Sequence, residues 1–464
     1  MNLSLQVNIK NFLSKVALCV VVLALTAAFF NIKKYRSKTL IENDIISYYA
    51  YLTATFVHHD LTLSFLNNPP PDMAGVYWPE TAPNGGRVIK TTMGLAIMYL
   101  PFYMLGQLFA WLGHSGMNGY SPPYFFWVSL SSLVYVIGAF FILRKILIRF
   151  FEDGAAALTL VTLGLGTNLF FYTANDPLMS HSYIFFLSVV FIYSMLRWYD
   201  TPHFSNSIFL GAALGLLSLV RPLCILYLLL WILYGVYNWR TLKDKIFFFF
   251  RNSLKVLTAA AFFILIWLPQ LYYWKVNTGT WFFNSYQGEH FFFNHPHLAE
   301  SLIGFRKGWL IYTPLMALSL IGIIFLRKKC ADFFVPVLSF SVVYIYILSC
   351  WWAWWFGGSF GNRGYMDLYG ALTIPLAAFY SFALNRKFFL RTSMVIIVLL
   401  MVVYQLFQTL QFRYQAIHYE GMTHRSYFAT FLKLHPNPAF YEALRRPDYE
   451  NAKAGLPERE LKYD

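Results

Sequence analysis

The chain has 464 residues, 58% of them hydrophobic and only 12% charged, where a soluble domain carries about a quarter charged residues. That composition excludes an ordinary soluble enzyme and predicts an all-α polytopic membrane protein with little soluble mass. The net charge is +15, but Lys and Arg cluster briefly between apolar runs, which points to membrane orientation and anionic lipid headgroups, not to nucleic acid.

The first apolar run, Val16 to Phe30, follows Lys10 and Lys15. It lacks a small-residue cleavage site, so it reads as a retained span and not as a signal peptide. Next comes TLIENDIISYYAYL, Thr39 to Leu52, in which Asp44, Ser47, Tyr48 and Tyr51 fall at i, i+3, i+4 and i+7 and share one helical face. One reading is an interfacial helix, with tyrosines at headgroup level and Asp44 as its N-terminal charge. The other is a general base where a membrane-borne substrate presents its head. His58, His59 and Asp60 read as a solvated patch.

Further apolar runs lie near 93–112, 123–143, 155–173, 179–197, 206–220, 222–238, 252–273, 308–326, 332–350, 367–384 and 392–411, with no repeat at a fixed period. One set of alternate connections holds Arg144, Lys145, Arg149, Arg197, Arg240, Lys243, Lys245, Arg251, Arg327, Lys328, Lys329, Arg386, Lys387 and Arg391. The other holds only Arg221, Lys275, Arg306, Lys307 and Arg363. The first set is expected in the cytoplasm. The run at 93–112, with Pro101 and Gly106, then reads as a broken helix in the outer interface. About eleven spans remain, in a membrane domain over 1–411 with a long first outer loop at 32–121 and an outer tail at 412–464. Lys33, Lys34, Arg36 and Lys38 disagree, because they fall outside, just past the first span.

The remaining polar groups lie on that outer side. In NDPLMSH, Asp176 before Pro177 fits a helix N-cap, whereas His181 enters an apolar span, and ionisable groups at that depth are functional candidates. Arg221, in SLVRPLCIL, is either a snorkelling side chain or an anion contact. The loop after Gln270 mixes aromatics with Glu289, His290, His295, His297 and Glu300, without HExxH or finger spacing; Glu289 and His290 are candidate substrate contacts. Arg306, Lys307 and Gly308 form either a phosphate grip or an interfacial anchor. In CWWAWWFGGSFGNRG the tryptophans suit an aromatic belt, the glycines let the loop fold back, and Arg363 offers a bidentate anion grip. The cysteines, Cys19, Cys224, Cys330 and Cys350, suggest neither a disulfide framework nor a zinc knuckle.

In this order the motifs resemble the GT-C superfamily of integral-membrane glycosyltransferases. They look most like the bacterial family-39-type proteins related to protein O-mannosyltransferases and to lipid A aminoarabinose transferases. The motifs are Asp44 in the first loop, NDP with Ser180 and His181, VRP at Val220 to Pro222, RKG at Arg306 to Gly308, and GGSFGNR. The resemblance implies a sugar donor on a polyprenyl phosphate and an active site on the outer face of a bacterial cytoplasmic membrane. It also implies Asp44 as base, Asp176 as a second acidic group, and Arg306, Lys307 and Arg363 at the donor phosphate. Tyr48, His181, Arg221, Glu289 and His290 complete the candidate substrate site. NDP departs from relatives that often carry Glu at that motif. No cofactor is specified, and a divalent metal stays open. The acceptor is a protein, lipid or glycan. The alternatives are a lipid-linked oligosaccharide flippase, a polysaccharide polymerase of a different fold, and a non-catalytic scaffold.

Overall fold

Apolar chain in lipid must pair every backbone N–H and C=O within itself, and the long apolar runs here do so as helices. The computed structural model describes residues 11–68 and 76–463, so Lys10 lies outside the described residues. Helix α1 (Phe12–Ile32) leads into a first connection that holds α2 (Asp44–Phe56), an antiparallel hairpin of β1 (Pro79–Thr81) and β2 (Arg87–Ile89), and α3 (Gly94–Leu112). Then follow α4 (Pro122–Phe150), α5 (Asp153–Leu165), α6 (Leu169–Ala174), α7 (Ser180–Asp200), α8 (Phe204–Val220), α9 (Leu228–Leu233), α10 (Trp239–Arg251) and α11 (Ser253–Thr278). The short α12 (Leu298–Ile303) and α13 (Trp309–Tyr312) precede α14 (Ala317–Lys329), α15 (Phe334–Ser349), α16 (Tyr369–Leu384) and α17 (Phe388–Arg413). The tail carries α18 (His424–Ala429), α19 (Pro438–Ala443) and α20 (Tyr449–Ala454).

Among the described residues, eight helical stretches are long and apolar enough to cross a membrane, those built on α1, α3, α4, α7, α11, α15, α16 and α17. The sequence reading expects about eleven. The difference lies in apolar runs that break early: Asp153–Leu165, Phe204–Val220 and Pro222–Leu233 are shorter apolar helices. The backbone breaks at Gly166–Asn168 between α5 and α6, and proline interrupts at 222 and 314.

Helix α3 is continuous through Pro101, not broken as the sequence suggested, and has the length of a span; both of its flanks are tied to α2. Tyr51 Oη donates to the Thr91 carbonyl at 2.7 Å, and Tyr49 Oη donates to the Gly119 carbonyl at 2.5 Å. Between those ties α3 runs antiparallel along the first half of α4. Tyr135 Oη donates to Met98 O at 3.0 Å, and Phe109 packs on Trp127. Gly106 permits the approach, since a Cβ there would lie 2.8 Å from Tyr124 Cα.

The charges sort to the two ends of the bundle. At one end Arg149 pairs with Asp200 at 2.6 Å, Lys329 with Glu152 at 2.8 Å, and Arg144 Nε donates to Ser14 Oγ at 3.0 Å. The amphipathic α10 begins there with a capping box from Asn238 and Thr241, and Lys245 lies over the Tyr199 ring. At the other end lie Asp44, Asp176, Arg221 and Arg363, joined by the Lys34–Lys38 segment after α1.

Candidate active site

Asp44 is the first residue of α2, where the helix dipole favours a carboxylate. Its Oδ2 accepts from Arg363 Nη2 at 2.7 Å, and the carboxylate stays partly exposed. Arg363 is held from behind by its Nε, which donates to the Phe356 carbonyl at 2.9 Å. Phe356 (φ +56°) and Gly357 (φ +65°) are both left-handed, and this turn folds the glycine loop back over the guanidinium. Burial opposes ionisation of Asp44, but the Arg363 guanidinium, helped by Arg221, holds its carboxyl below the usual carboxylate range.

A second layer lies under this pair and centres on Asp367, which is fully buried. Arg221 Nη1 donates to its Oδ2 at 2.5 Å, Tyr344 Oη donates to the same oxygen at 3.0 Å, and His181 Nδ1 lies 3.3 Å from Oδ1. Tyr227 Oη donates to the Asp367 carbonyl at 2.7 Å. Arg221 also stacks over the Phe356 ring at 5.9 Å. The Arg221 and Arg363 side chains therefore share Phe356, the residue whose carbonyl fixes one and whose ring supports the other. Asp367 is absent from the sequence-based candidates. The available signal was the one that drew attention to His181: an ionisable residue within an apolar span.

Asp176 does not cap a helix as the sequence suggested. Helix α7 starts later, at Ser180, and Met179 occupies the cap position without a side-chain bond. The Asp176 carboxylate has no hydrogen-bond partner among the described residues. Burial pushes its carboxyl up to about 6, with Arg363 and Lys34 opposing the rise and Asp44 and Glu42 adding to it. Nearby, Asn175 Oδ1, Ser180 Oγ and His181 Nε2 are buried without partners. Orphaned polar atoms at one place are what a ligand or water would satisfy.

The raised carboxyl carries a stability consequence with a definite sign. Protonated Asp176 favours the folded state fully below its unfolded value of 3.8, and this contribution is lost as pH rises through about 6. Asp176→Asn is therefore expected to stabilise the protein at pH 7.5 by on the order of 1–2 kcal/mol, and by much less at pH 4. Thermal unfolding in detergent at the two pH values measures the difference; an equal shift at both would remove the titration as its cause.

The other expected residues are placed as follows. Tyr48 is buried on the α2 face above Asp44. Glu289 lies at the rim, where Lys90 Nζ pairs with it at 2.5 Å and Trp352 Nε1 donates to it at 3.1 Å; Lys90 went unnoticed in the sequence. The His290 side chain is exposed and makes no polar contact, so only its carbonyl is used, accepting from Trp352 N at 3.1 Å. Arg306 pairs with Glu458 of the tail at 2.5 Å and stacks on Trp354 and Trp355. Lys307 is buried and donates to the Ser359 carbonyl; burial, with Arg363 adding, holds its ammonium well below the usual lysine range. Neither side chain of the RKG motif is thus free in this arrangement. The tryptophans form no belt: Trp352, Trp354 and Trp355 are buried and pack with Ala452 of α20. Among the described residues, no group of three or more His, Cys, Asp or Glu gathers to hold a metal, and the four cysteines are free.

No protein-family model matches the sequence, and no curated protein matches it. Solved structures do match in shape. The archaeal oligosaccharyltransferase AglB from Archaeoglobus fulgidus, in complex with an inhibitory peptide and a dolichol-phosphate, superposes with a TM-score of 0.52 at 13% identity. That match covers 92% of this chain and 60% of that one. The apo form of the Archaeoglobus fulgidus oligosaccharyltransferase gives a TM-score of 0.53, also at 13% identity, over 92% of this chain and 59% of that one. The chain thus spans about 60% of the length of the structures it resembles. At this identity the likeness concerns architecture alone: the chain shares the overall fold of these oligosaccharyltransferase structures.

Proposed function

We propose that this protein is a membrane glycosyltransferase that moves a sugar from a polyprenyl-phosphate donor to an acceptor at the outer face of the membrane. The observation that carries the reading is the Asp44–Arg363 pair at 2.7 Å, open at one end of a GT-C bundle and backed by Arg221 on Asp367. An acid and two cations at one point match the chemistry of the transfer. The acceptor oxygen attacks the anomeric carbon, its proton passes to Asp44, and the carbon–oxygen bond to phosphate breaks with its electron pair leaving on the phosphate. Arg363 and Arg221 offset the charge that develops there. Asp176, whose carboxyl is raised to about 6 and is mostly ionised at neutral pH, orients the acceptor or the sugar.

The donor's tail needs apolar surface beside this head. A cleft of about 350 Å³ between α2, α3 and α11, lined by Leu52, Met93, Ile97 and Pro269 among others, supplies it. The dolichol-phosphate held by AglB supports a lipid-linked donor. The family-39 kinship, about eleven spans, the 412–464 outer tail and a bacterial cytoplasmic membrane belong to the same proposal. A flippase would need polar side chains along several spans, whereas here the reactive groups gather at one end.

Comparing cells with and without the protein tests the function. Its loss is expected to raise the pool of one polyprenyl-phosphate sugar and to remove one sugar from a surface protein, lipid or glycan. Unchanged pools and glycans would refute the transferase reading.

A further inference from the structure

The Lys34–Lys38 segment sets four cations directly after an apolar span, on the side where the other connections between spans hold few. Lys33, Lys34, Arg36 and Lys38 gather just past α1, at the end of the bundle that holds Asp44, whereas the cation clusters at 144–149, 240–251, 327–329 and 386–391 lie at the opposite end. Cations on that side oppose the usual orientation signal, so their presence needs another cause. Among the described residues none of the four pairs with a carboxylate. Lys34 Nζ donates only to Thr39, at 3.1 and 3.3 Å. Lys33, Arg36 and Lys38 are exposed.

Two of them, Arg36 and Lys38, line a groove of about 360 Å³ between the end of α1 and the start of α4. Tyr35, Arg36, Ser37 and Lys38 form one wall, and Tyr120, Phe125 and Phe126 line the other. The floor is aromatic: Tyr35 packs edge-on against Phe126 at 5.2 Å and stacks on Phe29 at 5.4 Å. The groove thus sets two cations beside aromatic surface. The groove opens where two apolar spans end, at the level of the headgroups, and there the ligand at hand is a lipid and not a peptide or a nucleic acid. A lipid phosphate satisfies both parts, with its headgroup among the cations and its chains along Phe125 and Phe126.

From this pairing of unpartnered cations with an aromatic floor, we infer that the groove between α1 and α4 is a binding site for a phosphate-bearing bilayer lipid, separate from the seat of the polyprenyl-phosphate donor. The bound lipid lies at the edge of the site while Arg363 and Arg221 stay available for the donor.

Photo-cross-linking of the full chain in nanodiscs tests this without reading transferase activity, so its failure leaves the proposed reaction untouched. A photoreactive residue replaces Phe126, and as control Leu400, which is 60% exposed on the middle of α17. Phosphatidylglycerol is expected to label position 126 about tenfold more than phosphatidylcholine does, and to label position 400 no more. Each of Arg36→Gln and Lys38→Gln, exposed substitutions that leave the core alone, is expected to reduce that preference about fivefold. Equal labelling by the two lipids at position 126, or a preference that survives both substitutions, would overturn the inference. So would displacement of phosphatidylglycerol by equimolar undecaprenyl phosphate, which would assign the groove to the donor.

Discussion

Asp44→Asn is expected to lower kcat/KM for sugar transfer by about 10²–10⁴-fold, the range lost with a general base, while the protein stays folded. The expectation of an intact fold rests on position. Asp44 is partly exposed in the first turn of α2, and the amide can still accept from Arg363. What the amide lacks is a site for the acceptor's proton. Arg363→Gln gives the contrasting outcome. It removes the guanidinium that holds Asp44 ionised, so the Asp44 carboxyl should rise toward or above the usual range, because burial then acts less opposed. In that variant the donor KM should rise, and the acidic limb of the pH–rate profile should move to higher pH. The wild-type limb should disappear altogether in whatever activity Asp44→Asn retains. Transfer of a radiolabelled sugar from membrane extracts of the producing cell measures all three. Wild-type rates in Asp44→Asn would remove this carboxylate from the reaction.

Asp367→Asn is expected to destabilise the fold by about 3–5 kcal/mol, the cost of leaving a buried ion-pair partner uncompensated. Asp367 is fully buried and takes Arg221, Tyr344 and His181 on its two carboxylate oxygens. Without its charge Arg221 loses a 2.5 Å partner, and Tyr344 and His181 face a weaker acceptor. The thermal midpoint in detergent should fall by several degrees. Adding Arg221→Gln should cost much less than its separate effect, because the unpaired cation is then gone. Full additivity of the two substitutions would show that the pair is not the coupled unit described here. Asp367 acts through Arg221 and touches no reacting atom, so it is a positioning residue. Its weakening should show as a raised donor KM before a lowered kcat.

Part of the candidate site was readable in advance. Asp44 stands out as a carboxylate at the head of a helical face just past an apolar span, although an N-terminal helix charge accounts for that position equally well. Arg363 stood out because glycines on both sides mark a loop that turns back sharply, and Phe356–Gly357 do turn through left-handed conformations. The partners of Arg306 and Lys307 were not legible for a physical reason. A cation's availability depends on its partner, and here the partners are Glu458, 152 residues away, and a carbonyl at Ser359. The tryptophans misled in the same way, since α20 of the tail covers what composition alone assigns to the lipid interface.

The sequence alone shows a chain of apolar helices whose inter-span cations concentrate in one set of alternate connections. Both follow from local quantities: the length of an apolar run and the charge of the connection beside it. Only the tertiary structure decided that Asp44 meets Arg363 across 319 residues, that Asp367 anchors Arg221 and His181, and that α3 has both flanks tied to α2. Those outcomes depend on which helix ends become neighbours, and an ion pair's worth is set by distance and burial, neither of which a linear pattern contains.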